Sequence, residues 1–318
     1  MIDGDNPPAD SPSKVTPFVV GVDGGGTGSR AMVMDLSGRE LGKAHGPPAL
    51  VNPSNPGAAA DAIALTVRKA VAQADLELPA RALWTGLAGA GRSGAREAVE
   101  IALRSQRLAL ETRVGMDVEG ARQDAFGPEP GFLLAVGTGS MVWGRDPEGR
   151  EVRVGGWGGQ LGEEGSGYWF GMEGMRAVLR ASDLRDPPTR LTKALLGALQ
   201  LPSAQDLVPW VAQASKAEVG ALAPLVLGAA ARGDPAARAI LAAGLEALGR
   251  HLDVVRKVWA PWGPSFPLAV VGGLLEEGGL LRGPMLEIAL ERGADLHPDP
   301  VIPARGAARL ALGLLPTA

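Results

Sequence analysis

The chain contains no cysteine, which excludes disulfides, thiolate zinc sites, Cys-ligated iron–sulfur clusters and a thiol nucleophile. It also lacks a basic stripe. The 31 Lys and Arg residues stand against 35 Asp and Glu, spread along the chain, for a net charge of -4, so neither nucleic acid nor an anionic membrane is an expected partner. No uncharged apolar run reaches the roughly 18 residues of a membrane span. The opening MIDGDNPPADSPSKVTP is acidic, Pro-rich and without an apolar core, unlike a secretory signal. Residues 1–16 read as a disordered lead-in, and the protein as cytoplasmic. Histidine is scarce: His45, His251 and His297 are scattered, so a His-based metal site or triad is not expected, and each reads as a surface or satisfied polar residue.

At 318 residues and 46% hydrophobic, the chain can bury a substantial core and is long enough for two domains. Short apolar runs at 18–22, 30–35, 40–45, 82–87, 112–116, 132–136, 141–145, 151–154 and 268–271 read as strands. Helical spacing covers 57–74, 93–106, 166–181, 187–199, 216–231, 235–258, 279–291 and 303–314. Strands and helices interleave in both halves, so the fold class is α/β. The 46 glycines cluster at 21–28, 86–94, 137–144, 155–174 and 272–279. Glycine clusters at strand ends are where a backbone turns tightly or approaches a ligand.

Two of these clusters match one another. Residues 26–41, GTGSRAMVMDLSGREL, and 137–152, GTGSMVWGRDPEGREV, share 8 of 16 positions without a gap, and each follows a buried strand and leads into a hairpin. A strand–glycine turn–strand unit aims several backbone N–H groups and small hydroxyls at one point, as a phosphate cradle does. Two facing one another make a cleft. Other phosphate and hydrolase motifs are missing: the only Gly-Lys, Gly42-Lys43, is followed by Ala44 rather than Ser or Thr, a strand rather than a helix follows each loop, and neither Gly-x-Ser-x-Gly nor His-Glu-x-x-His occurs.

GVDGGGTGSR (21–30), the strand ending at Asp117, LAVGTGSMVWG (134–144), GGWGGQLGEEGSGYWFG (155–171) and VVGGLLEEGGLL (270–281) together resemble the BadF/BadG/BcrA/BcrD-type ATPase family, and more closely its N-acetylglucosamine kinase branch within the actin/hexokinase/Hsp70 superfamily. The resemblance implies two actin-like (ribonuclease H-like) ATPase domains with an interdomain cleft, at 17–117 and 118–302, the helix at 303–318 rejoining the first. It implies ATP and Mg²⁺: Asp23, Gly24, Gly25, Gly26 and Thr27 match a first phosphate loop, with Asp23 holding Mg²⁺ through water. Gly137, Thr138, Gly139 and Ser140 match a second, and Gly272 and Gly273 the adenosine segment. Asp117 matches a catalytic base, and Asn52, Gly156, Trp157 and Glu163 match sugar-contacting positions. The family usually carries Asp where this chain has Glu163. Glu119 and Asp124 are expected on a helix surface, and Trp169 in the core. The implied activity is phosphorylation of an amino sugar, at its 6-hydroxyl, by a homodimer. N-acetylglucosamine, glucosamine, N-acetylmannosamine, N-acetylmuramic acid and glucose remain open as the sugar. The alternative is a BadF-type ATPase that activates or senses without phosphorylating sugar, although such activators carry cluster-binding cysteines that are missing here.

Overall fold

β1 (Phe18–Gly24) is apolar on both faces because both are covered: Phe18, Val20 and Val22 enter one core and Val19 another. The structure, a computed structural model, describes residues 16–52, 55–91 and 93–316; apart from Thr16, the lead-in 1–16 lies outside them. β1 pairs antiparallel with β2 (Ser29–Asp35), which pairs antiparallel with β3 (Glu40–Gly46). On its other side β1 runs parallel to β4 (Ala80–Leu87), and β4 parallel to β5 (Ala109–Met116). The sheet order is β3-β2-β1-β4-β5. α1 (Pro56–Gln73) and α2 (Ser93–Ser105) cover one face through Ala60, Ile63, Val67, Val99 and Leu103.

The second half repeats this arrangement. β6 (Gly131–Val136), β7 (Ser140–Arg145), β8 (Glu151–Gly155), β9 (Phe266–Val271) and β10 (Ala294–Leu296) form a sheet ordered β10-β9-β6-β7-β8, with the same alternation of antiparallel hairpins and parallel neighbours. Element for element, β6 takes the place of β1. Between β8 and β9 comes a helical block: α4 (Gly167–Ser182), α5 (Arg190–Leu199), α6 (Leu207–Gln213), α7 (Lys216–Gly220), α8 (Ala223–Ala231) and α9 (Pro235–Trp259). It buries Phe170, Val226, Leu248 and Leu252 against Phe132, Leu134 and Val136. α10 (Arg282–Glu291) lies between β9 and β10. The result is a two-domain α/β fold.

Two helices join the halves. α3 (Asp117–Phe126) leaves β5 and packs Val118 and Ala121 on the second sheet, beside Leu133 and Ala269. α11 (Pro303–Leu312) returns and packs Ala304, Ala307, Ala308 and Ala311 on the first, beside Val19 and Trp84. They cross with backbones in contact: a Cβ on Gly306 would lie 1.8 Å from the Gly120 carbonyl oxygen. Asp124 ties the crossing, accepting from the Ile302 amide (2.7 Å) and from Arg305 Nη2 (2.8 Å), with Arg309 also paired to it. Asp124 is therefore buried, not on a helix surface as its polarity suggested, because its partners lie about 180 residues further along the chain.

The segment 216–231 is two helices rather than one, interrupted at Ala221–Leu222. Pro224, tolerated only in the first turn of a helix, sits there at the start of α8. β10, at three residues, and α6 are further elements that hydrophobic periodicity does not mark.

Candidate functional site

The identities between the two glycine hairpins do the same work in each. Ser29 and Ser140 are both buried; the Ser29 hydroxyl donates to the Pro47 carbonyl at 2.8 Å, and the Ser140 hydroxyl to the Glu164 carbonyl at 2.8 Å. At the far ends, Asp35 accepts from the amides of Ser37 and Arg39 and from the Arg39 guanidinium. Asp146 accepts from the amides of Glu148 and Arg150 and from the Arg150 guanidinium. Gly38 and Gly149 follow with φ of +90° and +79°, a backbone region open to glycine. The Ser37 hydroxyl and the Arg39 amide pull the Asp35 carboxyl down to about 2. Burial alone would raise the Asp146 carboxyl, but its hydrogen bonds to Arg150 outweigh that and hold it low. Each glycine loop is thus held at its exit by Ser29 or Ser140, while Asp35 or Asp146 closes the following turn, at the opposite end of the strand that leaves the loop.

At the first apex the strand ends bring acids together. Asp23, one residue before the end of β1, lies opposite Gly86 of β4, and Gly86 lies opposite Gly115 of β5. A Cβ on Gly86 would sit 3.1 Å from the Asp117 Cα, so the missing side chain makes room for the turn into α3. Burial, then Asp117, pushes the Asp23 carboxyl up to about 7, against the pull of Arg30, with Glu276 adding to the rise. Asp117 is half-buried, and loss of solvent likewise pushes it above the usual carboxylate range, offset in part by the Val118 amide and by Lys216. Two neighbouring half-buried acids, of which Asp117 raises the cost of ionising Asp23, suit a cation between them and solvent. Among the described residues no three acids or histidines cluster as a metal cage, but Mg²⁺ is commonly held by one or two carboxylates together with water and substrate phosphates. Asp23 fits that role.

Around this acidic floor the first loop stays open. Gly24 is packed, a Cβ there meeting Leu87 at 2.5 Å, whereas a Cβ on Gly25 or Gly26 would meet its neighbours at ordinary contact distances of 3.8 and 3.4 Å, and Thr27 is exposed. The second loop, Gly137 to Ser140, abuts the turn after β9: a Cβ on Gly137 would be 4.0 Å from the Gly272 Cα. Gly272 has φ +98°, and a Cβ there would lie 2.4 Å from the Val136 carbonyl oxygen, while Gly273 faces open space. The turn after β9 thus packs backbone against backbone on the start of the second loop, with Gly273 open beside it. Glu276 follows on the same turn and pairs with Arg30 of the first hairpin at 3.8 Å.

The remaining predicted positions lie on loops. Asn52 is exposed, on the segment held to the end of β4 by the Val51 amide and the Ala88 carbonyl at 3.2 Å. Gly156 has φ +70°. Trp157 is 67% exposed with the Arg153 guanidinium 5.0 Å over its ring, while Trp169 is half-buried edge-on to Phe170, its ring centroid 5.2 Å away. Glu163 is buried, its Oε1 3.0 Å from where a Gly139 Cβ would stand, and its Oε2 is ion-paired to Lys216. Sequence reasoning missed Lys216, whose partner is 53 residues away, and misjudged His251. His251 is half-buried under Gly155, with its Nδ1 buried and unpartnered and its basicity lowered by burial.

Gly139→Val drives a side chain into the Glu163 carboxylate, and Thr138→Val removes one of the loop's two side-chain hydroxyls, the other, on Ser140, being bound to the Glu164 carbonyl. Each is expected to weaken ATP binding at least about tenfold with the far-UV circular dichroism unchanged. Calorimetry showing wild-type ATP affinity in both variants rejects a nucleotide role for this loop.

Comparison with known proteins agrees in extent and type. The profile of the BadF/BadG/BcrA/BcrD ATPase family matches residues 20–311. An N-acetylmuramic acid/N-acetylglucosamine kinase of Clostridium acetobutylicum is 28% identical over 261 residues, 81% of this chain and 85% of its own. An N-acetyl-D-glucosamine kinase of Dictyostelium discoideum is 28% identical over 312 residues, 92% and 97% of the two chains. A crystal structure of a candidate N-acetylglucosamine kinase from Chromobacterium violaceum superposes with a TM-score of 0.77 at 30% identity, covering 94% of this chain and 99% of that one.

Proposed function

Because this chain belongs to the BadF/BadG/BcrA/BcrD ATPase family, we propose that it is an ATP-dependent kinase of N-acetylglucosamine or a closely related amino sugar, acting on the 6-hydroxyl. The observation that carries this reading is the pair of strand-end carboxylates, Asp23 and Asp117, set side by side beyond Gly86 at the apex of a glycine hairpin. Phosphoryl transfer asks for alignment and charge neutralisation rather than a covalent intermediate. The apices Gly24–Thr27 and Gly137–Ser140 hold the phosphates, and Gly272 and Gly273 take the adenosine. Mg²⁺ held through water at Asp23 would neutralise charge on the β- and γ-phosphates. Asn52, Gly156, Trp157 and Glu163 hold the sugar. Asp117 accepts the proton as the hydroxyl oxygen attacks the γ-phosphorus and the bond to the β-phosphate breaks, releasing ADP. We place the cleft between domains at 17–117 with 303–318 and at 118–302, in a homodimer.

An activator ATPase of the same family is the other reading. The lack of any cysteine weighs against the cluster-bearing form of it. A coupled assay of ADP release with Mg²⁺-ATP separates the two. Turnover is expected to rise at least about 100-fold with N-acetylglucosamine over water alone. Equal ADP release with and without every amino sugar in the panel rejects the kinase reading.

A further inference from the structure

Of the groups that surround the two apices, most are acids: Asp23, Asp117, Glu119, Glu163 and Glu276. Among the described residues, Arg30, paired to Glu276 beside the first loop, and Lys216 are cations that act on them. Lys216 occupies an uncommon position. It opens α7, a single turn inserted between the two loops: a Cβ on Gly26 would approach the Ala217 Cβ at 3.7 Å, and a Cβ on Gly220 would approach the Thr138 methyl at 3.3 Å. The turn itself is firmly seated. Ser215 and Glu218 close a reciprocal cap (2.7 and 3.2 Å), Val219 is buried, and Gly171 of α4 comes so close that a Cβ there would lie 2.2 Å from the Val219 carbonyl oxygen. The Lys216 side chain remains 41% exposed. A fixed backbone thus carries a partly exposed ammonium that reaches Glu163 and also acts electrostatically on Asp117.

The Glu163 end of this pair is buried, and its Oε2 faces the Lys216 ammonium. A buried carboxylate that loses its cation needs another hydrogen-bond donor in its place.

Resting on the sugar-kinase reading, we propose that Lys216 is a catalytic cation that meets the γ-phosphoryl group as it passes toward Asp117, and that Glu163 holds it between turnovers. When nucleotide binds, the ammonium leaves Glu163 for the γ-phosphate oxygens, and the freed Glu163 carboxylate accepts from a sugar hydroxyl. One residue thereby links occupancy of the nucleotide and sugar halves of the cleft.

The test compares two nucleotides in the absence of sugar, using full-length Lys216→Met and Lys216→Arg. For Lys216→Met, the affinity for Mg²⁺-AMPPNP, which has a γ-phosphate, should fall about tenfold, while Mg²⁺-ADP stays within about twofold; Lys216→Arg should recover most of the loss. With sugar present, Lys216→Met should lower kcat by about 100-fold or more with the sugar KM little changed. Glu163→Gln, which frees the lysine, should bind AMPPNP more tightly than wild type. Equal weakening of both nucleotides in Lys216→Met, or AMPPNP binding unchanged in it, overturns the proposal. Failure of the wild type to turn over any amino sugar would refute the substrate reading alone, since the nucleotide comparison decides the place of Lys216 without it.

Discussion

Asp117→Asn is expected to lower kcat by about 10²-fold or more while leaving nucleotide affinity within a small factor. Asparagine keeps the size of the side chain and its place at the start of α3, but it cannot take a proton. The carboxylate is suited to that task because loss of solvent raises its proton affinity, with Glu119 on its own helix adding to the rise, while the Val118 amide and Lys216 keep the shift in bounds. The raised value also sets the sign of the pH dependence. Only the ionised carboxylate can accept, so wild-type kcat should climb as pH rises through the elevated value of Asp117 and fall below it. In Asp117→Asn that acid limb should vanish from whatever activity remains. Near-normal turnover in the variant would move the base to another carboxylate.

A second large effect is expected at the crossing of α3 and α11. Gly306→Ala places a methyl 1.8 Å from the Gly120 carbonyl oxygen and 2.6 Å from the Asp124 amide nitrogen. Both neighbours are backbone, so neither can rotate aside, and the helices must separate. Separation also pulls the Asp124 carboxylate from Arg305, Arg309 and the Ile302 amide. The expected cost in denaturant unfolding is about 3 kcal/mol. Gly197→Ala is the control: it lies within α5 with nothing nearby and should be neutral or stabilising by about 0.5–1 kcal/mol. We place the interdomain hinge at this crossing, in Asp117–Gly120 and Ile302–Gly306, because the chain passes between the two sheets there. Sugar bound between Asn52 and the Gly156–Glu163 segment should draw the domains together and exclude water from the reacting phosphate. Solution scattering should then show a smaller radius of gyration with saturating sugar in the wild type. An unchanged profile, or Gly306→Ala as stable as Gly197→Ala, contradicts a hinge built on this contact.

What the amino-acid sequence disclosed was local. β1 and β6 announce themselves as continuous apolar runs, since each lies inside a sheet covered on both faces. The hairpin repeat is legible because Ser29 and Ser140 hold the two glycine loops alike, and the recurring Asp, Gly and Arg close the two following turns alike. What stayed hidden depends on distant partners. Asp124 reads as an ordinary helical acid until Arg305 and Arg309 are beside it. Lys216 reads as a solvated lysine until Glu163 meets it. β10 carries too few residues to show alternation and is defined by its pairing with β9.

The central claim, transfer of the γ-phosphoryl group to an amino sugar, is tested most directly by identifying the product. Wild-type protein incubated with Mg²⁺-ATP and N-acetylglucosamine should give ADP and one sugar phosphate in equal amounts, with phosphorus coupled to carbon 6 and its protons in the NMR spectrum. Inorganic phosphate in place of a sugar ester, or no consumption of ATP with any sugar of the panel, would contradict it.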